Sequence, residues 1–233
     1  RWRLLDAFRE AARECGIPPT DDFNGGDNEG CGYFQVNQKR GMRWSAASAF
    51  LKPALSRKNL TLITQAQVER VLVAGRMATG VTIRRSGTLA ELLARREVIL
   101  SAGAVNSPAI MERSGIGDGE RLQELGIPVV HHLPGVGENL QDHLQLRCIY
   151  KVSGVRTMNM DYHSNVKRAL IGLDYALRRR GPLRMAPSQL GAFTRSSAYY
   201  ATPNLEFHIQ PLSLEKFGDA LHGFPAFTAS VCN

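Results

Sequence analysis

The residues best suited to chemistry lie at 97–117, reading EVILSAGAVNSPAIMERSGIG. Val98, Ile99 and Leu100 form an apolar run of the kind buried on both faces of a sheet. Four small residues follow, Ser101, Ala102, Gly103 and Ala104. A helix start comes next, with Ser107 as N-cap and Pro108 in the first helical position. Ile110 and Met111 give that helix an apolar side, and Gly115 ends it. Small residues let a ligand approach the backbone closely, and the free N–H groups of a helix end favour an anionic or polar group. A nucleotide could lie against such a stretch. A purely structural reading stands beside that one, because strand–turn–helix units are common.

The flanking segments supply the frame. Residues 4–15 carry Leu4, Leu5, Phe8, Ala11 and Ala12 on one side of a helix, which Gly16, Pro18 and Pro19 stop. Residues 21–32 are rich in Asp, Asn and Gly and read as loop, followed by an Ala-rich helix to Leu51. Strands are expected at 60–64, 68–74 and 80–84, with a Ser86-Gly87 turn before a central strand at 98–100. This is a small antiparallel meander beside a parallel sheet. Asp118 caps a short helix ending at Gly126, and residues 127–133 are extended. Leu144, Leu146, Cys148 and Tyr150 alternate with polar residues as a half-buried strand. Ser164 caps a helix with Val166, Leu170, Leu173 and Leu177 on one face, closed by Gly181 and Pro182. One-face strands follow at 205–210 and from Phe227. Three segments result: 1–58, helix and loop; 59–143; and 144–233, an antiparallel sheet covered by helix.

Composition is that of an ordinary globular chain, with 43% hydrophobic and 21% charged residues. No apolar run reaches the roughly 20 residues that span a bilayer. The net charge of +8 is spread over many segments, and no nucleic-acid motif accompanies it. Arg178, Arg179 and Arg180 read as a solvated helix end, where cations suit the dipole. Cys15, Cys31, Cys148 and Cys232 are widely spaced, and His131 and His132 have no thiol near them in sequence. A zinc site is therefore not expected, and the thiols read as free in a reducing compartment.

Gly103-Ala104, Ser107-Pro108, Ile110-Met111 and Ser114-Gly115-Ile116-Gly117 resemble a signature of the glucose–methanol–choline (GMC) oxidoreductases, FAD-dependent enzymes that oxidise alcohols. Glu112 and Arg113 depart from it, standing where many relatives carry apolar residues. Pro134-Gly135-Val136-Gly137-Glu138-Asn139-Leu140-Gln141-Asp142-His143 resembles a second shared block, which in relatives packs beside the flavin ring. Asp22-Phe23-Asn24-Gly25, Gly32-Tyr33-Phe34-Gln35 and the run from Gly41 to Ala47 are similar to the family's segment near the flavin and the substrate entrance. Arg180 to Leu183 and Phe207 to Pro211 are similar to family features as well. The resemblance implies an FAD-binding doubly wound domain joined to an antiparallel substrate domain, a mixed α/β and α+β architecture. It implies cofactor contacts at Val68, Ser101, Ala102, Gly103 and Asn139. For Val68 the contact is to the adenine through the backbone, and the plain alternative is a core valine in a strand.

The same resemblance places the catalytic His pair, or His and Asn, downstream of these residues, so no catalytic residue is assigned. His143, which as a His after Asp invites a general-base role, reads as structural, and His208 as a solvent-side strand residue. The sequence contains no G-x-G-x-x-G, which a doubly wound sheet needs to seat pyrophosphate on a helix N-terminus. The expectation is the middle portion of a larger flavoenzyme: an alcohol or choline dehydrogenase-like protein with a small-molecule alcohol as substrate. A non-catalytic module retaining the fold is the alternative. Location is expected to be cytoplasmic, or at a membrane through the electron acceptor. Loss of the first strand would leave sheet edges unpaired, so the expectation is either a partner, a second copy or the missing segment, or a rearranged remnant.

Overall fold

Helix α1 (Arg3–Glu14) opens the chain, and its apolar side buries Leu5 and Ala12. Gly16, at φ +88°, turns the chain out of it. The computed structural model describes residues 1–216 and 218–233. Strand β1 (Gly30–Tyr33) lies partly inside the segment that the sequence reads as loop. Its glycines are there for space. A Cβ at Gly30 would stand 2.9 Å from the Pro18 carbonyl oxygen, and one at Gly32 would collide with the Thr20 carbonyl. Thr20 N–H donates to Cys31 O at 3.0 Å, and Cys31 N–H donates to Pro18 O at 2.7 Å. The tight hairpin β2 (Gln38–Lys39) and β3 (Met42–Arg43) turns on Arg40 and Gly41, both left-handed. A π-helical turn, Ala47–Leu51, runs into the short α2 (Lys52–Ala54).

The chain then builds a second compact unit, Leu55–Asp142. Strands β4 (Gln67–Ala74), β5 (Met77–Arg85) and β6 (Thr88–Leu93) form an antiparallel meander, with Ser86 and Gly87 in the second turn. The strand expected at 60–64 does not form, and neither does the central strand at 98–100. Both runs are apolar enough, but among the described residues no neighbouring ladder pairs with them, and Ile99 is 75% exposed. Strand β6 supplies the third strand of the meander in place of the one expected at 60–64. Helix α3 (Gly103–Arg113) follows, then β7 (Ile116–Gly117), α4 (Gly119–Glu124) and β8 (His131–His132), which pairs parallel with β7. Asp118 caps α4, its Oδ1 accepting from Arg121 N–H at 3.0 Å.

His143–Asn233 returns to the first unit, which it completes together with Arg1–Ala54. It contributes β9 (Gln145–Lys151), α5 (Met158–Tyr162), α6 (Asn165–Arg178), β10 (Leu190–Thr194), β11 (Leu205–Gln210) and β12 (Ala226–Cys232). The sheet runs β1-β10-β11-β12-β9, antiparallel throughout. Leu5 and Ala12 of α1 pack with Cys31, Leu190, Ala192 and Ile209 to make the core. A side chain such as Leu5 or Ile209 gains roughly 1.5–3 kcal/mol from full burial. Ser164 caps α6 as the sequence predicts, its Oγ accepting from Lys167 N–H at 3.4 Å. The apolar faces predicted for α6 and β9 form but are not buried: Leu170 and Leu173 of α6, and Leu144 and Leu146 at β9, are all more than half exposed.

Candidate cofactor-binding site

Helix α3 begins earlier than its sequence indicates. Gly103, at φ +91°, is its first residue, and Pro108 lies inside it. Ser107 does not cap a helix starting at Pro108. Its Oγ accepts from Ala102 N–H at 2.9 Å, which ties down the turn that enters the helix. The first N–H groups after Ala102 keep the orphan status of any helix start. Pro108 has no N–H, so the Ala104 carbonyl lacks its intrahelical partner as well. This one turn therefore offers both donors and an acceptor.

Those groups border a cleft of about 430 Å³ lined by Ala104, Val105, Pro108, Glu112 and Arg121 on one side and the turn from Gly137 to Gln141 on the other. Asn139 is part of that turn, in left-handed backbone at φ +57°. Ser101, Ala102 and Gly103 are exposed and precede the first lining residue, Ala104, without lining the cleft themselves, and nothing lies within 4 Å of where a Cβ on Gly103 would stand. One end of the cleft is polar: Arg121 Nη1 stands 3.4 Å from Glu112 Oε1 and 3.9 Å from Glu138 Oε1. The structure thus places Asn139 at one cleft with the entry of α3. Val68 is not at that cleft. It sits on β4, beside a bulge between Val68 and Arg70, and its carbonyl accepts from Arg113 Nη2 at 3.4 Å. Arg113 is the last residue of an 11-residue helix, about 16 Å long. Of the five candidate residues, Asn139 lines the cleft, Ser101, Ala102 and Gly103 lead into α3, and Val68 lies apart from the cleft on β4.

The rest of the signature is structural in this geometry. Ser114 is buried; its Oγ accepts from Val71 N–H at 2.8 Å and donates to Ile110 O at 2.6 Å, fastening α3 to β4. Gly115 is left-handed, and a Cβ there would strike the Pro128 carbonyl, while its own carbonyl accepts from Val130 N–H at 2.8 Å and His131 N–H at 3.0 Å. Arg113 and Glu112, the two departures from the signature, are both used: Arg113 Nε donates to Glu69 O at 2.9 Å, and Glu112 pairs with Arg121. In the other unit, Tyr33 donates to Asp6 Oδ1 at 2.7 Å, and burial together with that bond holds its phenol well above the ordinary range. Burial also pushes the Cys31 thiol up to about 11.

The fold has close counterparts. It superposes on an FAD-dependent oxidoreductase from Chaetomium thermophilum with a TM-score of 0.81 at 20% identity, over 98% of this chain and 46% of that one. Residues 3–145 match the family model of the GMC oxidoreductases, and the chain belongs to that family. It is 43% identical to human mitochondrial choline dehydrogenase over 208 residues, which are 88% of this chain and 34% of the relative. It is 38% identical to the alcohol dehydrogenase [acceptor] of Pseudomonas putida, over 99% of this chain and 42% of that protein. The chain therefore spans between about a third and two fifths of the length of these relatives. Among the described residues, no helix is long and apolar enough to cross a membrane.

Proposed function

We propose that these residues form part of an FAD-dependent oxidoreductase that converts an alcohol, choline or another primary alcohol, to its aldehyde. The observation that carries this reading is the cleft along α3, where Ala104 and Val105, in the first turn of the helix with its free N–H groups, border one space with Asn139. These groups fit one margin of a dinucleotide: polar backbone at close range, with room at Gly103. FAD, when bound, supplies the acceptor for the carbinol hydride. Ser101, Ala102, Gly103 and Asn139 hold its edge, Val68 supports the adenine side, and residues 1–54 and 143–233 contribute to the substrate side. None of the residues present is assigned as the base.

The test is to titrate the 233-residue chain with FAD, following flavin fluorescence, and then to add choline, primary alcohols and a redox dye. Expected are quenching that Gly103→Val and Asn139→Ala weaken, and no dye reduction, because the sequence holds neither a G-x-G-x-x-G loop nor the His pair that the family resemblance places further downstream. Flavin binding unchanged by both substitutions would refute the site. In an enzyme containing these residues along with the loop and the His pair, dye reduction with alcohols is expected. Bound FAD without turnover there would instead mark a non-catalytic binding module.

A further inference from the structure

The antiparallel register of the first unit brings together residues that are far apart in sequence. Glu206 on β11 lies directly opposite Cys232 on β12, and Cys232 directly opposite Gln145 on β9. Directly opposed residues share a sheet face. His143 stands two residues ahead of Gln145, the period of one face. A nitrogen of His143, a carboxylate oxygen of Glu206 and the sulfur of Cys232 all lie within 4.8 Å of one another. We propose that His143, Glu206 and Cys232 form a binding site for a divalent metal ion of the zinc class.

The surroundings are those of a prepared site. The two oxygens of Glu206 are divided. His208, two residues along β11, sets its Nε2 3.0 Å from Oε1, while Oε2 stands 3.9 Å from Cys232 Sγ. The His208 ring is braced in turn by Phe34, with ring centroids 5.5 Å apart. A ligand carboxylate oriented by a second polar group is the usual outer-shell arrangement of a metal centre. One sulfur, one imidazole nitrogen and one carboxylate oxygen suit zinc, with a fourth position open to water. Cys232 is buried and His143 exposed, so an ion enters from the His143 side. Bond lengths of about 2.3 Å to sulfur and about 2.0 Å to nitrogen imply ligand separations near 3.5 Å. Uptake therefore draws the three groups together by about an ångström. As the metal–sulfur bond forms, the S–H bond breaks and its proton leaves to solvent. The ion then ties β11, β12 and the entry to β9 into one unit.

The test uses the 233-residue chain and Co²⁺ as a spectroscopic substitute, followed by Zn²⁺. Expected are one equivalent of tightly held ion after dialysis, a cobalt–thiolate charge-transfer band, and a melting temperature that rises with Zn²⁺ concentration. Cys232→Ser should abolish the band, whereas Cys15→Ser and Cys148→Ser leave it intact. His143→Ala and Glu206→Gln, each checked for retained circular dichroism, should weaken binding at least tenfold. His208→Ala should weaken it about tenfold while leaving the band in place. No uptake, a band that survives Cys232→Ser, or affinity indifferent to both His143→Ala and Glu206→Gln overturns the site.

Discussion

Replacing Ser114 by Ala tests whether the family signature is held by structure at its C-terminal half. The side chain is 7% exposed, and its hydroxyl makes two hydrogen bonds, from Val71 N–H and to Ile110 O. The two partners fare differently when it is lost. Ile110 O also accepts from Ser114 N–H at 3.1 Å and stays satisfied. Val71 N–H is left without that acceptor at a position only 8% exposed. A buried donor without a partner costs about 1–3 kcal/mol, and the cavity left by one hydroxyl is small, so the expected loss is about 2 kcal/mol. For a chain of this size each kcal/mol lowers the melting temperature by about 2–4 °C, which places Ser114→Ala about 4–8 °C below the parent. Ser107→Ala is the control: it removes the same chemical group from a bond to Ala102 N–H that lies exposed to water, and its cost should be well under 1 kcal/mol. Thermal unfolding of the three proteins, followed in parallel by circular dichroism, decides the matter. If Ser114→Ala melts within a degree of the parent, or if Ser107→Ala costs as much, the fastening of α3 to β4 is not what the geometry indicates.

Asp161 is fully buried, with Arg156 Nε donating to Oδ2 at 2.8 Å and Lys167 Nζ 3.1 Å from Oδ1. Burial alone would raise its carboxyl, but the bonds from Arg156 and Lys167 outweigh that and hold it below the ordinary value. A depressed native value adds stability that is complete above the unfolded value, near 3.9, and is lost as pH falls through the native one. Asp161→Asn should therefore cost about 1–3 kcal/mol in denaturant melts at pH 7, and the gap to the parent should close below about pH 4; a gap independent of pH would show that the charge is not what matters. Cys15 is exposed, whereas Cys31 is buried with its thiol pushed up to about 11. At pH 8 only about one in a thousand Cys31 thiols would be ionised even if reached, so iodoacetamide mapping by mass spectrometry should label Cys15 in the native chain and Cys31 only after unfolding.

The sequence shows local chemistry well and long-range pairing poorly, and the outcomes here divide along that line. Helix α1, the cap at Asp118, the cap at Ser164 and the turn at Ser86 and Gly87 each depend on residues within a few positions of one another, and each forms as read. The strands that fail, 60–64 and 98–100, have strand-like composition, but a strand also needs a partner, and composition does not specify one. The converse case is β1: Gly30 and Gly32 read as loop residues, yet they are glycines because the Thr20 segment crosses them too closely for any side chain. Gly103 and Pro108 misled in the same way. A proline marks a helix start only when its missing N–H would have been free in any case, and here the helix passes through it, so the Ala104 carbonyl loses its i+4 donor. Motif matching marks a stretch but does not sort its residues by role. The hydrogen bonds do so: Ser114 and Gly115 spend their side chain and their conformation on holding α3, Ser107 spends its hydroxyl on Ala102 N–H, and the first turn of the helix begins at Gly103 and Ala104. The trio of His143, Glu206 and Cys232 was illegible for a sharper reason. Spacing rules for metal ligands assume neighbours on one turn or one hairpin, whereas these are brought together by the register of β11 and β12 and by the approach to β9, information that only the completed sheet contains.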